Sequence, residues 1–425
     1  MSYAMARRRA RPRWMPSLET VCLLGSITCL IFVPHMGNVA AAGFVGGTLA
    51  LLALSRTNPL EPFFATTAPW LFTGWILASS LWSTDSGFTF YEGLQYFFTC
   101  YAGAVLAQTV EPRRLVAAIA AGSLPALVMS ATSGIYGVDE RGVVSLVGIF
   151  NSKNFLAYYA TIGLLASLAT LCDRRQPLPP RLAAAATAVV AVYIILAARS
   201  LGTLVAGFMA AGVLLGLVFI FRLSVLARSL IIAIGLMAGL AVALAGVLYT
   251  DQVLELLGKD SSLTGRSFLW ARGWQYIEMR PVFGTGYYNF WKQGSVEAEG
   301  LWRQMNIGSR TGFHFHNIFI NAGVELGYVG MALITVMVLA AWRGIIKWLA
   351  RDLAPHTAFF AAFMVYSLPR LFIEVDIPSI YGWGPVLIFY ICTHAGLLLK
   401  RAADPDIGEA LSASPMHGAS LSRRP

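Results

Sequence analysis

Long apolar stretches separated by short polar ones recur along this chain, and they predict transmembrane helices. They lie at about residues 18–34, 39–55, 66–82, 90–110, 115–134, 151–171, 182–198, 201–221, 229–249, 316–341, 355–372 and 379–400. Each is close to the roughly 20 residues that carry a helix across a bilayer core of about 30 Å. About twelve spans result, with 182–221 readable either as two helices or as one broken around Ala198-Arg199-Ser200. No internal repeat is visible. Between the ninth and tenth spans the polar stretch lengthens to roughly 65 residues, Thr250 to His314. Connectors rarely exceed about 15 residues, so this loop has work to do or is disordered. Its Trp270, Trp274, Trp291, Trp302, Tyr276, Tyr287 and Tyr288 argue for a folded loop on the membrane surface. Four regions follow: an N-terminal bundle of about nine helices (1–249), the large loop (250–315), about three C-terminal helices (316–400), and a Ser/Ala/Pro-rich tail (401–425) expected to be disordered.

Composition agrees with the pattern. Hydrophobic residues make up 57% of the 425 and charged residues only 12%, about half the roughly 25% of a soluble protein. Mean hydropathy is +0.65. A soluble enzyme, a disordered chain and a fibrous protein are excluded. The predicted class is an all-α polytopic membrane protein whose first partner is the lipid bilayer. The net charge of +10 follows from orientation rather than from nucleic acid, for which no motif is present. With both termini cytoplasmic, twenty of the 31 basic residues fall inside, and every inner loop carries at least one. The start, MSYAMARRRARPRW, reads as an uncleaved cytoplasmic tail. Cys22, Cys29, Cys100, Cys172 and Cys392 lie in or at the ends of apolar stretches without ligand spacing, so neither a disulfide nor a zinc site is expected.

The cations left outside are the informative ones. Among them, Lys153 and Arg199 sit at span ends, where a charge is costly unless it is paired or meets water. They lie on the same side as the large loop, which points to a shared anion site over separate snorkelling side chains. Within the loop, Thr264 and Pro281 bracket a helix of about 16 residues. Its face of Phe268, Leu269, Trp270, Trp274 and Ile277 suits an amphipathic helix lying on the bilayer. Arg266 falls in its first turn, a place that is already positive, and makes sense there if an anion is held between guanidinium and helix end. The run Gly284-Thr-Gly286-Tyr287-Tyr288-Asn289-Phe290-Trp291 reads as a turn with aromatics that anchor at the interface or stack on a sugar.

Phe313-His314-Phe315-His316-Asn317 opens the tenth span. On a helix, His314 and His316 would point apart, which argues against one shared metal. A histidine at this boundary suits a general base near neutral pH. Asn321 and Glu325 share a helix face and could line a polar groove, with Glu325 turned to the bundle interior or water. The acids of the large loop, Asp251, Glu255, Asp260, Glu278, Glu297 and Glu299, form no pair of the kind that holds a metal with a nucleotide sugar.

Taken together, TGRSFLW, RPVFGTGYYNFW and FHNIFINAGVELGYVG, with GIFNSKNFLA and AARSLGT upstream, resemble the O-antigen ligase and polysaccharide polymerase superfamily, nearest its exopolysaccharide polymerase branch. The motifs cover about residues 148–330; beyond them the likeness is one of topology. The resemblance implies a GT-C-like, metal-independent, inverting glycosyltransferase of the bacterial inner membrane with its active site facing the periplasm. It implies no cofactor: the donor is a glycan on undecaprenyl diphosphate, and the acceptor is a glycan or lipid A core. It leaves room for contact with other polysaccharide export proteins. By position, Arg266 matches the arginine that holds the diphosphate, Arg199 matches a second arginine more loosely, and Lys153 matches a Lys-Asn pair read as a phosphate contact. His316 matches the histidine assigned to acceptor activation. His314, Asn317, Tyr287 and Trp291 are the further expected contacts to acceptor or sugar. Polymerase is favoured on the TGRS and Lys-Asn motifs. The alternatives are an O-antigen ligase acting on lipid A core and, from another class, a polysaccharide or lipid transporter, against which stand the missing repeat and the one-sided polar residues.

Overall fold

The computed structural model describes residues 17–138, 142–150, 152–220, 265–308, 310 and 313–403. The predicted span 229–249, the start of the large loop with Thr264, and the C-terminal tail from residue 404 lie outside the described residues.

Fourteen helices are described, numbered here in chain order: α1 Leu18–Met36, α2 Asn38–Ser55, α3 Glu61–Ala65, α4 Ala68–Ala78, α5 Ser86–Thr109, α6 Pro112–Thr132, α7 Lys153–Cys172, α8 Leu178–Ala197, α9 Leu201–Ile220, α10 Arg266–Met279, α11 Val296–Gln304, α12 Ile318–Leu349, α13 Pro355–Arg370 and α14 Trp383–Ala403. Eleven of the twelve predicted spans coincide with helices. Eight of the described helices are long and apolar enough to cross a membrane: α1, α2, α6, α7, α8, α9, α12 and α14. Of the other three, α4 is 11 residues long and α13 is 16, while α5, at 24, carries Glu92, Gln95 and several Thr and Tyr residues. The 182–221 stretch is two helices, parted at Arg199, whose φ is +49°.

Polar side chains fix several helix starts. Ser17 caps α1 by accepting from Thr20 N–H, Asp85 caps α5 by accepting from Phe88 N–H, and Asn317 caps α12 by accepting from the N–H groups of Phe319 and Ile320. Without such partners the first N–H groups of a helix would be bare. Small residues let helices approach closely, as membrane interiors favour. A Cβ on Gly103 of α5 would come within 2.5 Å of the Val386 carbonyl oxygen of α14. One departure from an all-helical chain is a small antiparallel hairpin before α7, with Tyr136 paired to Leu146 and Val138 to Val144.

The helix in the large loop does not simply lie on lipid. Leu269, Gly273 and Ile277 of α10 are buried, and α10 packs on α12. A Cβ on Gly273 would lie 2.3 Å from the Ile320 side chain. Phe290, Leu301, Phe315 and Val324 complete this small core, with Trp270 and Trp291 against it. Trp274 alone of the predicted face is exposed, at 44%.

α12 is broken at Gly327, where φ is +68° and ψ −171°. The loop after α10 plugs the break. Thr285 N–H donates to the carbonyl of Val324 at 3.0 Å, Gly286 N–H to that of Glu325 at 2.8 Å, and Tyr328 N–H to that of Pro281 at 2.7 Å. Trp75 Nε1 of α4 donates to the Leu326 carbonyl at 3.1 Å. The break thus leaves these backbone groups paired, as the membrane interior demands. Gly284 and Gly286, at φ +69° and +100°, make the fit possible. A Cβ on Gly284 would meet the Glu325 carbonyl carbon at 2.4 Å.

Candidate functional site

Four helix ends and one short loop meet where α10 begins: the starts of α7, α9 and α12, the end of α13, and the segment 371–382 before α14. Backbone and side-chain bonds hold them. Ile318 N–H donates to the Leu371 carbonyl at 3.0 Å. Arg370 donates to Thr203 Oγ1 at 3.1 Å and to Asp376 Oδ1 at 3.0 Å. Ser200 Oγ donates to Asn154 Oδ1 at 2.9 Å, and Asn154 Nδ2 donates to Glu374 Oε1 at 3.2 Å. Arg370 is itself 3% exposed, and its guanidinium lies 4.6 Å from the Tyr158 ring centroid. That buried cation is paired, so its role is to hold the 371–382 loop in place.

Glu374 is the centre of the arrangement. Its side chain is 10% exposed. Arg266 Nη2 lies 3.8 Å from Oε1, His314 Nε2 lies 3.7 Å from Oε2, and His316 Nδ1 lies 3.6 Å from Oε2. The two histidine nitrogens are slightly beyond hydrogen-bond reach, and His316 Nδ1 is buried with no hydrogen-bond partner among the described residues. The histidines are not on a helix. His316 has φ +51°, and its N–H donates to His314 Nδ1 at 3.1 Å. That turn brings the rings to a centroid distance of 4.3 Å. The expectation that they point apart therefore fails, because it assumed helical backbone two residues before α12 starts. Their nitrogens and a Glu374 oxygen lie within 4.8 Å of one another, close enough to hold a metal ion.

The electrostatics follow from crowding. Burial pushes the Glu374 carboxyl up, but His316, His314 and Arg370 outweigh it and hold the group down at about 2. Burial and the neighbouring His316 push the His314 imidazole down to about 3, with Glu374 opposing. His314 is therefore neutral near pH 7. Burial also holds Arg266 below its ordinary value, while Glu374 pulls it back up. The cluster is thus an ionised carboxylate, a guanidinium and two imidazoles in a half-wet recess at the first residue of α10, whose N-cap is Gly265 at φ +82°.

The other expected residues are placed as follows. Lys153 is half-buried at the first position of α7, next to Asn154. Arg199 is exposed at the α8–α9 corner, and it is the neighbouring Ser200 that joins the network. Asn317 spends its Oδ1 on capping α12. Trp291 is partly buried among Phe313, Phe315 and Trp302. Tyr287 is fully buried, and its hydroxyl donates to the Pro378 carbonyl at 2.5 Å. In this structure it is a wedge between α5 and the 371–382 loop. Asn321 and Glu325 are buried too, at 5% and 3%, instead of lining an open groove.

Glu374 escaped the sequence reading. One signal was present: Arg370-Leu-Phe-Ile-Glu374-Val-Asp376 puts two acids beside a cation at the same end of the spans as the stranded cations.

Residues 186–335 match the family model described as O-antigen ligase. The chain is 31% identical over 382 residues to the exopolysaccharide production protein ExoQ of Rhizobium meliloti (strain 1021), covering 89% of this chain and 88% of that one. The matched region contains Arg199, Arg266, His314 and His316. The protein is a membrane-embedded, polysaccharide-related glycan transferase by kinship, and it belongs to the O-antigen ligase family.

Proposed function

We propose that this protein is an inverting, metal-independent glycosyltransferase of the bacterial inner membrane. It moves a glycan from undecaprenyl diphosphate to an acceptor hydroxyl at the periplasmic face, polymerising exopolysaccharide or O-antigen repeats. The observation that carries this reading is the convergence of Arg266 and His316 on opposite oxygens of the Glu374 carboxylate.

In such a transfer the acceptor oxygen attacks the anomeric carbon, and the bond from that carbon to the diphosphate oxygen breaks with its electron pair. Charge develops on the diphosphate. Arg266 at the start of α10 faces that charge, and a partly buried cation is worth more there than in water. The acceptor proton goes to the Nε2 of His316, whose Nδ1 faces Glu374. Glu374 keeps that imidazole in the tautomer that leaves Nε2 free, and stabilises it once protonated. Arg266 already lies beside Glu374, which supports a site run on protein cations over one run on a divalent ion. Lys153 and Arg199 stand at the neighbouring helix starts as further diphosphate contacts. His314, Asn317 and Trp291 flank the acceptor side.

The relative's role in exopolysaccharide production favours the polymerase; the family's description keeps a ligase acting on lipid A core as the second reading. The test is complementation of a deletion strain with wild type, Arg266→Ala and His316→Ala at matched protein levels, with glycans sized with and without lipid A. Long polymer from wild type and single lipid-linked repeats from both variants support the polymerase. Long chains that stay on the carrier and never reach lipid A make it a ligase. Normal glycan from both variants overturns the site and brings transport forward.

A further inference from the structure

A recess separate from the Glu374 cluster lies at the other end of α10. It is a cleft of about 420 Å³, within the range of roughly 300–1,000 Å³ of ordinary ligand sites. One wall is Tyr276 and Arg280 at the end of α10. The opposite wall is Asp85, at the start of α5, ion-paired with Lys292. Gln293 and Glu297, both exposed, close the mouth. Tyr276 is half-exposed, and its ring rests on the buried Phe290 at a centroid distance of 5.0 Å.

This is the chemistry of a carbohydrate subsite. A rigid, backed aromatic face suits the C–H side of a pyranose, and closely set carboxylate, amide and ammonium groups suit its hydroxyls. The surface is divided between polar and apolar and carries both signs of charge, which suits a many-hydroxyl ligand better than an anion or an acyl chain. Its walls are fixed: Asn289 donates to Thr84 Oγ1 at 2.8 Å and to the Thr285 carbonyl at 2.9 Å, tying the loop wall to the α5 corner. Tyr276 lies ten residues beyond Arg266 on one straight helix, so about 15 Å separates the recess from the Arg266 end. That is the reach of a few sugar units.

We propose that this cleft holds the glycan chain at a distance from the reacting bond, and so sets how long the product grows. The inference rests on the glycosyltransferase reading above. A chain gripped here stays with the enzyme between transfers, whereas one held only at the reacting end leaves after each.

The experiment uses the full-length protein in the deletion strain. Gln293→Ala and Glu297→Gln change exposed groups, Tyr276→Phe keeps the ring, and Tyr276→Ala removes it. The expected result is retained bond formation with polymer shortened roughly fivefold to tenfold for Tyr276→Ala, near-normal length for Tyr276→Phe, and intermediate length for the two polar variants. Saturation-transfer NMR of the free oligosaccharide repeat with the detergent-solubilised protein should lose its signal in the Tyr276→Ala protein and keep it in Arg266→Ala. Unchanged polymer length and unchanged oligosaccharide contact across the four variants would overturn the subsite while leaving the transferase reading intact. Normal polymer from Arg266→Ala would instead sink the transferase reading itself.

Discussion

Arg266 and Glu374 meet at 3.8 Å although they belong to a surface helix and to the turn between the last two helices. Each is a poor choice of residue on its own terms. A guanidinium in the first turn of α10 adds positive charge to a positive helix end, and a carboxylate 10% exposed beside three apolar spans lacks water. Together they neutralise one another while no substrate is bound. On the proposed reading, an incoming diphosphate competes with Glu374 for Arg266, and Glu374 keeps His316.

Replacing Glu374 by Gln should therefore hit turnover without emptying the site. We expect transfer to fall about tenfold to a hundredfold, the usual effect of losing a partner that orients a reacting group. Glu374→Asp should recover part of it. Steady-state transfer from lipid-linked donor in nanodiscs checks this: the loss should appear in kcat, with the donor KM unchanged or lowered. A loss confined to KM would remove the orienting role.

Arg266→Ala should lower transfer by about a hundredfold to a thousandfold, as expected when one donor aimed at developing charge is removed. Arg266→Lys should recover little, because a point charge does not reproduce the two-pronged guanidinium. The same assay measures both, and full recovery by lysine would show that position of charge alone is what counts.

Acid should loosen the folded protein through the cluster. The His314 imidazole is held below its ordinary 6.5 and the Glu374 carboxyl below its ordinary 4.5. In both cases the unfolded chain binds protons that the folded chain refuses, so stability is present at neutral pH and is lost as pH falls. The loss begins near 6.5 through His314 and continues below 4.5 through Glu374. Thermal unfolding of the detergent-solubilised protein between pH 7 and pH 4 should fall, and His314→Gln should flatten the upper part of that slope. An identical slope in the variant would remove His314 as its source.

Chelation distinguishes the two uses the triad could serve. If His314, His316 and Glu374 work with Arg266 alone, transfer should survive prolonged EDTA treatment of the purified protein. Loss on chelation, restored by zinc, would make the triad a metal centre and end the metal-free reading.

Gly284→Ala and Gly327→Ala should reduce the amount of folded protein. Both positions have φ near +70°, and the added Cβ would lie 2.4 Å from the Glu325 carbonyl carbon or 2.1 Å from the Val282 oxygen. Such positive-φ backbone alone costs about 1–3 kcal/mol for a residue with a Cβ. Fluorescence-detected size exclusion, with Gly294→Ala as an open-space control at φ +86°, measures it.

Much of this was legible in the residues. Apolar length alone found the helices that span, because lipid leaves the backbone no other way to pair. The pairing of Arg266 with a helix start and the boundary position of His316 were legible for similar local reasons. Glu374 was not, because its partners are far away in sequence and its own segment, between α13 and α14, carries no periodic pattern. Tyr287 misled because an aromatic in a surface loop has two uses, and only the Pro378 carbonyl decides between them. The bend at His316 was hidden as well, since nothing in Phe-His-Phe-His announces a positive φ.

The break in α12 bears on how the protein is made. Its carbonyls at 324, 325 and 326 are satisfied by a loop translated just before it and by a tryptophan translated long before. A newly inserted α12 therefore keeps these carbonyls bare until the loop and α4, both already made, dock against it. The same docking step carries α10, and with it Arg266, onto the start of α12 beside His316. Sealing the break and bringing Arg266 to the start of α12 are then one folding step, and the site is complete once Glu374, made later still, joins them.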